Sequence, residues 1–173
     1  MRNKSSHPKQ RLKGKFLTIT FLLFLALLIV GGIDLYRKTF INWYVLLFPI
    51  FFGPLLCIPK AKFLTGETNL KAAIILIYLY FMPVFFYLFL AINFYGNIGE
   101  NKSENFKIIK KGDAFGGKRS AAKPFAIIIF NGVRKQLFFP INEREAMYSS
   151  DNIKIEYRKG VLQFYVLKHY DLN

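Results

Sequence analysis

Cysteine is almost missing from this chain of 173 residues, with Cys57 standing alone, so an intrachain disulfide is impossible and a disulfide-stapled scaffold is excluded. Histidine is nearly as scarce. His7 and His169 lie at opposite ends, which leaves no local basis for a metal cluster or a Cys–His pair. Neither G-x-S-x-G nor H-E-x-x-H occurs. Acidic residues number 10 against 25 Lys and Arg. The most informative absence is local: residues 16–33, 39–59 and 72–94 contain no charged side chain at all. Disorder and collagen-like repeats are excluded by the 53% hydrophobic content, and an ordinary soluble enzyme does not concentrate its apolar residues in three blocks.

Those blocks read as membrane spans. Residues 16–33 would rise about 27 Å as a helix, close to the thickness of a hydrocarbon core. Thirteen of the 18 are Leu, Ile, Phe or Val, which outweigh Thr18, Thr20, Gly31 and Gly32 on an insertion scale. Residues 72–94 suffice to cross with some tilt. The middle block carries Pro49, Gly53 and Pro54, so a kinked span over 41–58 competes with a re-entrant segment. Trp43 and Tyr44 at one end, with Lys60 and Lys62 at the other, suit the two interfaces and favour crossing.

Basic residues then set the orientation. Arg2, Lys4, Lys9, Arg11, Lys13 and Lys15 precede the first span, and Lys60, Lys62 and Lys71 follow the second; the first loop has only Arg37 and Lys38. The positive-inside rule places the N-terminus and second loop in the cytoplasm, and three crossings leave the remainder outside. The first span reads as an uncleaved anchor, because Gly31-Gly32-Ile33-Asp34 is not a cleavage site of the A-x-A kind.

Beyond residue 95 a polar connector (96–104) leads into β-rich sequence. Residues 106–111 suggest a short strand, and 124–130 a strong one whose consecutive Ile127, Ile128 and Ile129 imply cover on both faces. Asn131-Gly132 then signals a type I′ hairpin into 133–139. Asn142 and Glu145 resemble a capping pair for a helical turn over 143–148. Ile153, Ile155 and Tyr157 alternate with Lys154, Glu156 and Arg158, the period of a half-buried strand, and 161–170 runs back after Lys159-Gly160. Four or five strands are expected.

Chemical motifs are sparse. Gly112, Gly117 and Lys118 fit the spacing G-x-x-x-x-G-K, but Arg119 stands where a phosphate loop needs Ser or Thr, and no helix follows. The segment reads as a basic inter-strand loop in which Lys118 and Arg119 could contact an anion or headgroup. His169 reads as a surface histidine, Glu143 and Glu145 as residues on different helix faces, and Cys57 as a small buried hydrophobe. The charge-free spans argue against a self-sufficient transporter, while Tyr78, Tyr80 and Tyr87 would need hydroxyl partners in lipid. The excess of positive charge is accounted for by orientation and anionic lipid, without a nucleic-acid motif.

The expected fold is therefore membrane α + β: three transmembrane helices followed by a small, mostly antiparallel β domain, curved or barrel-like. The expected divisions are a basic leader (1–15), a three-span region (16–94, with spans at 16–33, 41–58 and 72–94), a linker (95–105) and an extracytoplasmic β domain (106–173). The expected function is non-enzymatic: a bacterial inner-membrane protein whose β domain binds a protein or envelope component, as an accessory subunit or an immunity-type protein. Its expected partners are the bilayer, anionic headgroups along the leader and a protein, with no cofactor and no nucleic acid. The rival is a membrane-embedded enzyme or transport component acting on a lipid or anionic envelope substrate through the 112–118 loop and His169.

Overall fold

A computed structural model describes residues 8–96, 99–115 and 122–172. The chain forms two compact units, one from the N-terminal stretch to Asp34 with Leu46–Phe89, the other from Leu35–Val45 with everything from Leu90 onward.

Three long helices dominate the first unit: α1 (Pro8–Arg37), α2 (Trp43–Leu55) and α4 (Leu70–Tyr95), with a short α3 (Ala61–Thr65) after a 3-10 turn at Ile58–Lys60. The apolar helical stretches Ile19–Arg37, Trp43–Thr65 and Leu70–Tyr95 are each long enough to cross a membrane. Both prolines are accommodated inside α2, and the helical path extends past the expected limit at residue 58 to Thr65, where Gly66 caps it in the left-handed region (φ 71°). Small residues let the helices approach one another. A Cβ on Gly53 would overlap the Phe85 ring and one on Gly32 the Phe86 ring. The Tyr78 hydroxyl donates to the Phe51 carbonyl oxygen at 3.1 Å, between the two prolines, which is the partner that a phenol in an apolar setting requires. Cys57 is half-buried beside Ala61, Ala73 and Ile77.

The second unit is built of curved antiparallel β structure in two sheets. Its strands are β1 (Thr39–Phe40), β2 (Lys102–Lys107), β3 (Lys110–Ala114), β4 (Lys123–Phe130), β5 (Val133–Phe138), β6 (Asn152–Lys159) and β7 (Tyr165–Leu172). One sheet has the order β1-β7-β6-β2, the other β3-β4-β5. The chain passes from one to the other at successive residues: the Ile108 amide donates to the Asp151 carbonyl, and the Ile109 amide to the Ile127 carbonyl. On the opposite side the strands are linked through side chains. The Tyr170 hydroxyl donates to the Phe138 carbonyl at 2.5 Å, and the Phe139 and Tyr170 rings meet edge to face. Phe130 stands in the aromatic cluster between the two sheets: its ring stacks on Phe40 at 4.1 Å and meets Tyr157 at 4.7 Å and Tyr165 at 5.1 Å.

Several local expectations hold. Asn131 and Gly132 both have positive φ (47° and 78°), the type I′ requirement, and Ile153, Ile155 and Tyr157 point inward from β6. Others need correction. The polar connector is shorter than expected because its charged residues from Lys102 onward form the edge strand β2, paired along its whole length with β6. The strand expected at 106–111 is two strands meeting at the corner. Ile129 is 52% exposed while Ile128 is fully buried, so β4 has one covered face rather than two; its sheet is antiparallel and packs on one side within this unit. The capping pair does not form, since Asn142 lies within a 3-10 turn (Ile141–Glu143) and α5 (Arg144–Ser149) begins at Glu143 without a side-chain cap. The return strand starts only at Tyr165, after a turn in which Gln163 has φ 71°.

Asn93, in the last turns of α4, is fully buried and ties that helix end to the 160–164 turn: its amide nitrogen donates to the Phe164 carbonyl at 3.1 Å, and its side-chain oxygen accepts from the Leu162 amide at 3.1 Å. Gly160 sits so close that a Cβ there would collide with the Asn93 carbonyl oxygen. Replacing Asn93 with Ala strands one donor and one acceptor, so the variant should lose roughly 2–4 kcal/mol of stability. Thermal unfolding of the full chain in detergent, compared with wild type, is the check; an unchanged midpoint would refute the role.

Candidate functional site

Lys118 and Arg119 lie outside the described residues, as do Gly117 and His7. Gly112 is a residue of strand β3, paired with Phe125 of β4. His169 is on β7, 61% exposed, with its Nε2 2.9 Å from Asp171 Oδ1. Glu143 and Glu145 sit at the start of α5. Among the described residues, no three His, Cys, Asp or Glu side chains are placed to share a metal ion.

The polar chemistry is instead at Lys135. Its side chain is buried in the second unit, and its ammonium donates to the carbonyl oxygens of Tyr36 and Thr39, each at 2.8 Å. The Tyr36 and Phe40 rings flank the charge at 5.2 and 5.8 Å from their centres. Tyr36 belongs to the last turn of α1, where carbonyls have no helical donor. The neighbouring Leu35 carbonyl accepts from the Thr39 hydroxyl at 2.8 Å, and the Lys38 carbonyl accepts from the Leu167 amide at 2.7 Å. Arg158 repeats the arrangement at the other helix end, its Nη2 donating to the Phe94 carbonyl at 2.7 Å. Cations at carbonyl termini also complement the helix dipole.

Lys135 escaped the sequence reading, although a signal existed. Val133, Lys135 and Leu137 share one phase of β5, so the hairpin that fixes the register also sends this lysine to the covered face. Burial pulls its ammonium down to about 8, against an ordinary 10.5. Tyr157 moves the other way: burial, together with its hydroxyl's 2.5 Å bond to Glu104, pushes the phenol up to about 12.

Around Lys135 the surface opens into a cleft of about 350 Å³, lined by Tyr36 and Arg37 from α1 and by Arg134, Gln136 and Phe138 from β5. Arg37 and Arg134 are exposed, and neither guanidinium has a hydrogen-bond or ion-pair partner among the described residues. A second cleft, about 280 Å³, lies beside Lys102, Arg158 and Lys159, with Glu100 on its wall. Cations thus border both clefts, and each can receive an anionic group. Comparison of the chain with protein-family models, with curated proteins and with solved structures finds no match.

The lowered ammonium gives a signed pH dependence. Between about 8 and 10.5 the unfolded chain retains a proton that folded Lys135 has released, so this group favours the folded state increasingly as pH rises. Lys135→Met removes that slope and leaves two carbonyls without their donor, costing about 1–3 kcal/mol at neutral pH. Unfolding midpoints measured across this range should show the gap between wild type and variant widening toward alkaline pH; a constant gap would contradict the assignment.

Proposed function

We propose that this chain is an integral membrane protein of the bacterial inner-membrane type, with its β unit on the extracytoplasmic face, where it binds a protein or envelope component without itself catalysing a reaction. The observation that carries the reading is the make-up of the β unit. Strand β1, from the loop after α1, pairs with β7, so the first loop and the C-terminal region belong to one compact body. Both α1 and α4 end at that body. If both cross a bilayer, their N-terminal ends lie on its other face, and the segment joining them must cross as well. This logic favours a full second span over a re-entrant one. The surplus of short-flank basic residues then assigns that other face to the cytoplasm.

The side chains of the helical unit support a lipid setting. Leu27, Val30, Phe48, Ile75 and Leu79 are between 59% and 70% exposed, a display of large apolar groups unsuited to water. Binding is supported by the outward face of β4 and β5, where exposed Ile129 and Phe138 lie beside half-buried Phe125 and Ile127. Catalysis draws no comparable support: Lys135, Arg158 and Asn93 are engaged with backbone groups, and His169 faces solvent beside Asp171. An accessory subunit or an immunity-type protein has this combination of anchor and small presented surface.

Cysteines placed at Ser103 and at Ser150 in a Cys57→Ser background should react with a membrane-impermeant maleimide in intact cells; protection until lysis would sink the topology. A photo-crosslinker at Ile129 or Phe138 should trap one discrete protein in native membranes, and His169→Ala and Lys118→Ala should leave that product unchanged. Loss of the product in either alanine variant, with folding intact, would instead support the enzyme or transport reading.

A further inference from the structure

We infer that the cleft between the last turn of α1 and β5 seats the phosphate of an anionic phospholipid, held by the guanidinium groups of Arg37 and Arg134. The inference rests on the reading above that α1 crosses the bilayer. Arg37 follows Ile33, the last residue of the charge-free stretch, by four positions, which on a helix is a rise of about 6 Å and places it at headgroup depth. Arg134 joins it from β5, across the cleft of about 350 Å³ that both line. Planar guanidinium donors match phosphate oxygens in pairs, and both are exposed without partners among the described residues.

The end of α1 would by itself repel an anion, because a helix C-terminus carries partial negative charge. Lys135 reverses that locally. Its ammonium occupies the Tyr36 and Thr39 carbonyls with two of its three donors and brings a full positive charge to the floor of the cleft. Among the described residues, no acidic side chain lines the cleft. Tyr36 and Phe138 supply aromatic walls, and aromatic rings beside basic groups at a helix end are the chemistry of the bilayer interface. Free inorganic phosphate would meet the same donors, but only a lipid is delivered to this depth by the bilayer itself.

Native mass spectrometry of the full chain, released from nanodiscs of mixed phosphatidylglycerol and phosphatidylcholine, tests this directly. Wild type should retain phosphatidylglycerol preferentially, Arg37→Gln with Arg134→Gln should lose about tenfold in its retention, and the paired lysine variants should keep most of it. Lys107→Gln with Lys154→Gln, which neutralises exposed charges elsewhere on the β unit, should match wild type. Equal retention of the two lipids, an unchanged adduct in the paired glutamine variant, or displacement of the lipid by millimolar inorganic phosphate would each overturn the inference. Alkaline extraction separates the two failures. A chain that leaves the membrane overturns the spanning topology and the lipid site together, whereas a retained chain with unaltered adducts overturns the lipid site alone.

Discussion

A helix that ends within folded protein leaves carbonyl oxygens that need donors, and the β unit of this protein is organised around supplying them. Lys135 reaches from β5 to Tyr36 and Thr39, and Arg158 reaches from β6 to Phe94. Asn93 exchanges bonds with both sides of the 160–164 turn. Burying an ammonium is costly, which is why its ionisation is depressed, yet the alternative is a pair of unsatisfied carbonyls beside an aromatic core. The same bonds join segments far apart in sequence, since Lys135 is nearly a hundred residues from its acceptors.

The aromatic core completes what those bonds begin. Phe40 arrives from the first loop and stacks on Phe130, around which Tyr157, Tyr165 and Phe106 close at 4.7 to 5.2 Å. A module of this size has little interior to bury, and the two-residue strand β1 with its phenylalanine adds to it. Curvature follows from the corner at Ile108–Ile109 and from the irregularity between Glu156 and Tyr157, where β6 and β7 shift register. Because the three-stranded sheet packs on one face only, Ile129 and Phe138 are left outward, Phe138 lining a cleft in which Lys135 is engaged by backbone carbonyls while Arg37 and Arg134 are exposed.

Much of this was legible in the sequence, and the reason is periodicity. Charge-free runs of 18 residues or more identify helices that bilayer chemistry permits, because every backbone polar group must then be satisfied along the chain. Asn131-Gly132 set the hairpin, and alternation from Ile153 to Tyr157 set the face of β6. These are signals in which cause and effect lie within a few residues of each other. Where the reading erred, the deciding partner was distant. Charged β2 is a strand only because β6 offers it a ladder, and Asn142 is no cap because the chain enters α5 through a 3-10 turn.

Composition and spacing alone therefore determined that this chain has three helices apolar enough for a membrane, a polar C-terminal module of antiparallel strands, and a type I′ turn at its strongest hairpin. Only the tertiary structure decided that the first loop belongs to that module, that Lys135 is an interior group, and that Arg37 and Arg134 share one cleft. The physical reason is range: helix and strand periods are written in neighbouring residues, whereas the donor that satisfies a helix end can come from any point in the chain.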